Sequence, residues 1–239
     1  MDLYKQIFLR QSCRKYEKEP LSEAVLAEIE AFIGGMRPLF PEVAINHRIV
    51  GAREIKGMMA IKAPHYVAIS GKGAPYRDLC AGFLFQQLDL YLSARGLGAC
   101  WLGVARGRET PAGEEEILSI CFGTPVGPAT RSLADFKRKT LAEIALEDDP
   151  RLEAARLAPS GMNTQPWHFK AADGVIHVYQ AVPGKLKALL YSFQELDLGI
   201  ALCHLMLATE AQGGVFGFER ERAGAPAAPP GFVYLGSVV

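Results

Sequence analysis

Net charge is the first thing this sequence lacks. Its 26 Lys and Arg balance 26 Asp and Glu over 239 residues. That removes any general electrostatic case for nucleic acid or an acidic membrane surface as partner. Cysteine is scarce: Cys13, Cys80, Cys100, Cys121 and Cys203 are odd in number, widely spaced and without a C-x-x-C. Neither a metal site nor a disulfide framework is expected. Reduced thiols fit a cytoplasmic protein. Long hydrophobic runs are missing too. The most apolar stretch, Leu79 to Leu92, is interrupted by Gln86, Gln87 and Asp89, which is too short and broken for a membrane span. The opening MDLYKQIFLRQSCRKY has no apolar core before a small-residue cleavage site, so no signal peptide is expected. H-E-x-x-H and G-x-S-x-G do not occur, which sets aside two common hydrolytic chemistries. No side chain stands out as a catalytic acid or base.

What remains is an ordinary globular composition, 49% hydrophobic and 22% charged, long enough for one large or two small domains with a real core. Asp2 to Leu9 reads as a short helix. Ser22 reads as the N-cap of a helix carrying Val25, Leu26, Ile29 and Ile33 on one stripe and ending at Gly34-Gly35. Met36 to Met59 is irregular, with one possible strand at Val43–Val50. His65–Ser70 is a strand. Leu79–Ala94 is a buried central helix stopped by Gly96-Leu97-Gly98, and Ala99–Val104 is a short buried strand. Glu114–Ile120 is expected to be helical, and Gly123–Arg131 a loop. Further on, Arg151–Leu157 is helical, and His168–Lys170 with Val175–Tyr179 forms a hairpin around Asp173-Gly174. Asp197–Gln212 is a second apolar helix, and strands near Phe216–Glu219 and Phe232–Leu235 close the chain.

Both halves therefore share an order of helix, strand, long apolar helix opened by Asp, Gly stop and strand. Asp78 and Asp197 stand 119 residues apart (197 − 78). The period is half the chain, which points to two fused copies of one half-domain rather than a solenoid. The expected halves are 1–128 and 129–239.

Three segments carry the chemistry. In Arg10-Gln11-Ser12-Cys13-Arg14 two guanidinium groups flank a hydroxyl at the end of a helix. Arg grips phosphate bidentately, although a solvated basic patch would look the same. Ala158-Pro159-Ser160-Gly161-Met162-Asn163-Thr164-Gln165-Pro166-Trp167 is a loop stiffened by two prolines, with one glycine and three amide or hydroxyl side chains. It is able to edge a flat polar heterocycle; a rigid loop with an anchoring Trp is the plainer reading. Gly96-Leu97-Gly98-Ala99-Cys100-Trp101 joins helix to strand, where glycines leave main-chain N–H groups open. It does not start a helix, so it is no Rossmann loop. His65, His177 and His204 fall in apolar elements and read as satisfied core histidines. Leu205-Met206-Leu207 reads as core and Trp167 as an anchor.

Taken together the segments resemble the FMN-dependent nitroreductase family. RQSCRKYEKEPLS is similar to its Arg-x-Ser-x-Arg arm, and ARLAPSGMNTQPWHF to its Ala-Pro-Ser-x-x-Asn-x-Gln-Pro-Trp loop. DLCAGFLFQQLDLYLSARGLGACWLG is similar to its central helix and turn, and FGTPVGPATRSLADFKRKTLAEI to its tail. The order differs from an ordinary member. Here the loop lies in the second half, and the corresponding first-half region, GGMRPLFPEVAINHRIV, lacks it. This resembles a fused-repeat branch, the "putative TM nitroreductases", in which one chain supplies both sides of a site that homodimers build between subunits.

The resemblance implies an α+β nitroreductase-like fold: an internally duplicated pseudo-dimer with mixed, largely antiparallel sheets and long buried helices. It implies one FMN per chain, with NAD(P)H as electron donor and nitroaromatic, quinone-like or other small oxidised molecules reduced by a ping-pong route. Carried over by position, Arg10, Arg138 and Lys139 would meet the phosphate with Ser160. Ser12 would face the ribityl chain, with Gln11 beside it, and Arg14 the phosphate or the flavin N1/O2 edge. Pro159, Gly161 and Asn163 would line the opposite side, and the backbone of Gly98, Ala99 and Cys100 the N5/O4 edge. Arg10 and Arg14 are expected to be free of core packing. The expected partner is a small-molecule substrate, the assembly a pseudo-dimeric monomer or a homodimer. A non-catalytic FMN store or sensor is the alternative.

Overall fold

The computed structural model describes residues 1–57, 61–184 and 193–239; Met58 and Met59 of the stretch read as irregular lie outside them. The two most apolar segments form the two longest helices, α3 (Arg77–Ala94) and α6 (Gln194–Ala211), of 18 residues each. Neither has a polar face. Nearly every position from Leu79 to Ser93, and from Leu196 to Met206, is buried. Helices apolar on all sides need cover on all sides, and each supplies part of it to the other.

Glycine lets them meet. A Cβ at Gly82 would lie 2.9 Å from the carbonyl carbon of Leu196 and 3.1 Å from the amide nitrogen of Ile200. A Cβ at Gly199 would lie 2.7 Å from the amide nitrogen of Phe83 and 2.9 Å from the carbonyl carbon of Leu79. The contact is reciprocal, Leu79 and Gly82 against Leu196 and Gly199. Both offsets are 117 residues (196 − 79, 199 − 82), as a twofold axis between the helices requires. This corrects the sequence alignment by two positions: Asp78 corresponds to Glu195, not Asp197.

Two four-stranded antiparallel sheets flank the helix pair. The first runs β1 (Ile45–Gly51), β3 (His65–Gly71), β6 (Glu115–Gly123), β4 (Gly98–Leu102). The second runs β7 (Trp167–Ala172), β8 (Val175–Ala181), β10 (Phe232–Val238), β9 (Phe218–Glu219). In chain order both follow first, second, fourth, third, and in both the long helix lies between second and third strands. The register also bulges at the same step of each fourth strand, skipping Ile117 in β6 and Leu235 in β10. A ribbon of β2 (Ile55–Gly57) and β5 (Ala105–Gly107) adds to the first half. Parallel contacts are single bridges, Ser12 to Ala99 and Ala145 to Phe169.

Local signals explain most boundaries. Asp2 caps α1 (Leu3–Ile7), and the Ser22 hydroxyl caps α2 (Glu23–Gly34) by accepting from Val25 N–H. Asp173 and Gly174 both take positive φ, as the two-residue turn between β7 and β8 demands. Short helices α4 (Leu141–Ile144) and α5 (Leu152–Arg156) lead into the proline-stiffened loop. One expectation fails: Glu114–Ile120 is not helical; from Glu115 on it is the first two-thirds of strand β6. That strand pairs on both edges and is buried on both faces from Ile117 to Gly123. A strand covered on both faces loses its alternation and reads like a buried helix. The histidines behave as expected. His65 Nε2 accepts from Leu21 N–H at 2.8 Å, His177 pairs with Ser237 at 2.8 Å, and His204 lies between the Ala154 carbonyl and Gln86. Trp167 and Met206 are core, 1% and 2% exposed. No described helix is long and apolar enough to cross a membrane.

Candidate functional site

The arm after α1 is laid onto the first half by backbone hydrogen bonds. Cys13 N–H donates to Ala99 at 2.9 Å, Glu17 N–H to Thr124 at 2.9 Å, and Arg131 N–H to the Leu9 carbonyl at 2.8 Å. Gly98 permits this approach, because a Cβ there would lie 2.6 Å from Cys13 Cβ. Gly98 and Ala99 are thus buried behind the arm, holding it in place. Gln11 is spent on the same job, donating to the Pro128 and Thr130 carbonyls.

The proline-stiffened loop approaches from the second half. Met162, Asn163 and Gln165 all have positive φ without being glycine, a conformation that costs on the order of 1 kcal/mol per residue. Side-chain bonds hold it. Ser160 Oγ accepts from Gln165 N–H at 2.9 Å, Asp197 Oδ1 accepts from Gly161 N–H at 3.0 Å, and Asn163 Nδ2 donates to the Lys137 carbonyl at 2.8 Å.

Between arm and loop lies an open cleft of about 320 Å³. Six of the residues expected at a site line it: Ser12, Arg14, Cys100, Pro159, Ser160 and Gly161. Its floor is Leu196 and Ile200 of α6, and apolar walls come from Trp101, Val104, Leu118, Met162 and Phe193. Met162 and Val104 stand at its mouth, 80% and 63% exposed. Lys139 lies elsewhere, on a second cavity of about 310 Å³, with its ammonium donating to the Gln165 carbonyl.

Beside the cleft guanidinium groups crowd together. Arg131 donates to the Arg10 carbonyl at 3.1 Å and lies over the Phe136 ring at 3.5 Å. Arg138 reaches the same ring from 5.8 Å and donates to Asn163 Oδ1 at 2.7 Å and the Ala158 carbonyl at 3.0 Å. Burial, then repulsion from the neighbouring arginines, pulls both down to about 10. Cations packed this way call for an anion. Arg131 was missed because it ends a segment that reads only as loop.

Arg10 departs from the expectation that it needs no core packing. It is 1% exposed, with Nε 3.0 Å from Asp89 Oδ2 in the middle of α3, and Nη2 donates to Ser12 Oγ at 3.1 Å. The Nε–Oδ2 contact is an ion pair without hydrogen-bond alignment. Burial raises the Asp89 carboxyl, and Arg10, Gln86 and Trp101 oppose that. Arg10 therefore reaches the cleft through Ser12. Asp89 was visible in the sequence only as an interruption of an apolar run, although a charge in such a helix requires a partner. Asp197, which holds Gly161, was noted only as opening its helix.

At the position related to the cleft by the same offset side chains pack together, leaving a hollow lined by Tyr76, Arg220 and Glu221. Phe193 and Tyr76 are the N-cap residues of α6 and α3. Trp101 pairs with Ile120, three residues after the β6 bulge (120 − 117), as Phe218 pairs with Val238, three residues after the β10 bulge (238 − 235). Where Phe193 and Trp101 line the cleft, Tyr76 and Phe218 pack on Phe40 at 5.9 and 6.1 Å. Arg220 closes over Phe40 at 4.6 Å and Tyr76 at 5.0 Å.

The sequence profile of a family described as "Putative TM nitroreductase" matches residues 2–209. A crystal structure described as a putative nitroreductase from Thermotoga maritima superposes with TM-score 0.68 at 21% identity, covering 100% of this chain and 92% of that one. Two shorter proteins superpose more loosely. A "Putative NADH dehydrogenase/NAD(P)H nitroreductase" from Parabacteroides distasonis gives TM-score 0.49 at 18% identity, over 62% of this chain and 99% of its own. A "putative nitroreductase in complex with fmn" from Desulfovibrio desulfuricans gives 0.47 at 22%, over 62% and 98%. No curated protein matches the sequence.

Proposed function

The chain belongs to the putative TM nitroreductase family, and from that premise we propose that it binds one FMN in the cleft and reduces small oxidised acceptors, nitroaromatic or quinone-like, with electrons from NAD(P)H in a ping-pong cycle. The observation that carries this reading is the arginine cluster beside an apolar-walled cleft. Arg131 and Arg138 are half-buried among like charges, and a phosphate would neutralise them. The donor set fits the group. Arg14, Arg131 and Arg138 would meet its phosphate, Ser12 and Ser160 would offer hydroxyls at the cleft wall, and Trp101, Leu196 and Ile200 would offer a surface for a flat ring.

FMN when bound supplies reversible two-electron transfer; the chain supplies place and polarity. Arg10 acts at one remove, anchored on Asp89 and fixing the Ser12 hydroxyl. Asp197 and Arg138 hold the two ends of the strained loop through Gly161 and Asn163, so Pro159 and Ser160 are presented rigidly. Lys139 steadies that loop from behind through Gln165. Arg14 is the exposed cation at the wall; facing the ring it would favour an anionic reduced form.

The halves 1–128 and 129–239 we read as repeated units. Shared strand order, equivalent bulges and the reciprocal glycine contact support that. The aromatic filling of Phe40, Tyr76 and Phe218 under Arg220 supports a single cofactor per chain. Anaerobic mixing of the purified, FMN-loaded protein with NADH or NADPH tests the proposal by bleaching of the flavin band. Rapid bleaching is expected. Bound flavin inert to both donors would replace the reductase by a storage or sensor protein, and failure to retain FMN would remove the cofactor assignment itself.

A further inference from the structure

The wall of the cleft carries chemistry that a flavin site does not require. Cys100 and Cys121 face each other across β4 and β6 in antiparallel register. Facing residues of such a ladder lie about 4.5–5.5 Å apart at Cα, within the roughly 4.4–6.8 Å that a disulfide bridges. Their side chains share one face of the sheet. Both are free. Cys100 lines the cleft with Arg14, and Cys121 lies behind it, 0% exposed, with its sulfur 3.4 Å from the Tyr16 hydroxyl. Cys13 is the third thiol nearby, but its sulfur turns to the Lys15 carbonyl.

We propose that Cys100 and Cys121 form a redox-active dithiol, with Cys100 the attacking and Cys121 the resolving thiol, which a small disulfide entering the cleft oxidises to an internal disulfide. The Cys100 thiolate attacks one sulfur of the disulfide R–S–S–R. A Cys100–S–S–R bond forms, the R–S–S–R bond breaks, and the thiolate released takes a proton. Cys121 then loses its proton and attacks the Cys100 sulfur, releasing the second R–S⁻, which is protonated in turn. Two protein thiols are oxidised, one small disulfide is reduced to two thiols, and two electrons and two protons have moved.

The polarity of the pair matches these roles. The neighbouring Cys121 thiol, helped by Arg14 and Arg10, pulls the Cys100 thiol down against its burial. Cys121 is pushed up, first by the facing Cys100 thiol and then by burial. The first of those causes disappears once Cys100 is capped, so the resolving thiol is released for attack by the step that precedes it. The place of Cys100 on the cleft wall, 5% exposed against 0% for Cys121, together with its lowered thiol selects it as the attacking group. Cys80 and Cys203 lie away from the cleft in α3 and α6, and burial raises both.

The test counts thiols, not turnover, so it is decided independently of the flavin assignment. The purified protein is incubated with oxidised glutathione, freed of reagent, denatured and labelled with N-ethylmaleimide. Untreated protein takes five labels, one for each free cysteine. The treated protein is expected to take three, to weigh two hydrogens less before labelling, and to yield a Cys100–Cys121 linked peptide. Cys121→Ser is expected to stop at a stable glutathionyl adduct on Cys100. Five labels after treatment, or a disulfide mapped to Cys13 and Cys100, would overturn the assignment.

Discussion

Replacing Gly199 by Ala adds one methyl group at the place where α3 and α6 touch backbone to backbone. That carbon would stand 2.7 Å from Phe83 N and 2.9 Å from Leu79 C, with the Leu79 carbonyl oxygen nearer still. These atoms belong to a helix ladder and cannot swing aside. Ordinary contact needs about 3.5–4.0 Å, so the axes must part by roughly 1 Å. Overpacking of this kind costs about 1–3 kcal/mol, and rigid neighbours place it near 3. Better helix propensity returns about 0.5–1 kcal/mol, so the clash wins and the net loss is about 2 kcal/mol. For a chain of this size that lowers Tm by about 4–8 °C. Gly34→Ala is the control, since nothing lies within 4 Å of its Cβ position; it should leave Tm unchanged or slightly raised. Gly82→Ala should cost about as much as Gly199→Ala. The double variant should cost less than both together, because axes parted by one methyl already admit the other. Thermal unfolding followed by circular dichroism reads all four. A Gly199→Ala protein melting at or above the parent would refute the close crossing.

Flavin released by denaturation should be counted at one per chain, since Phe40, Tyr76 and Arg220 occupy the equivalent place; a ratio near two would mean that they move aside. Arg10→Ala strands the Asp89 carboxylate and should cost about 3–5 kcal/mol in urea titrations. Arg14→Ala, at an exposed position, should cost under about 0.5 kcal/mol while weakening FMN about 10- to 100-fold, the loss of one charge-assisted hydrogen bond; equal stability of the two variants would contradict the buried pair. Acid should destabilise the fold through His204, which burial holds down at about 3, with Arg10 and Arg138 pushing the same way. Below pH 6.5 the unfolded chain takes a proton that the folded one refuses, so stability falls by up to about 1.4 kcal/mol per pH unit toward pH 3. His204→Gln should flatten urea midpoints measured between pH 7 and 4.5, leaving the smaller slope of His65, His168 and His177, which burial also lowers; an unchanged slope would assign the effect elsewhere.

Features written in local sequence were legible from it. Ser22 capping α2, Asp173-Gly174 turning the hairpin and the apolar rows of α3 and α6 need only a few neighbouring residues to declare themselves. Strand β6 did not, because burial on both faces erases the alternation that marks a strand. At the site, the arm and loop segments could be found by their residue types, and the structure brings Ser12, Arg14, Cys100, Pro159, Ser160 and Gly161 to one cleft. Arrangements made by pairs distant in sequence could not. Arg10 and Asp89 are unremarkable apart and decisive together. The same holds for Asp197 under Gly161 and for Arg220 over Phe40. A residue's neighbours along the chain set its local shape, but only the fold says which charge it meets.

The crossing at Gly82 and Gly199 joins two parts of a single chain. Walls contributed by separate subunits drift apart on dilution, because their association depends on concentration. Walls tethered to each other meet at a fixed effective concentration instead, so this cleft keeps its shape however scarce the protein. The tether has a second effect. In a dimer of identical subunits every substitution at the seam is made twice, once on each side of the axis. Here Phe193 and Tyr76, or Gly103 and Arg220, are encoded separately. One side is free to stay open while on the other aromatic side chains pack against each other.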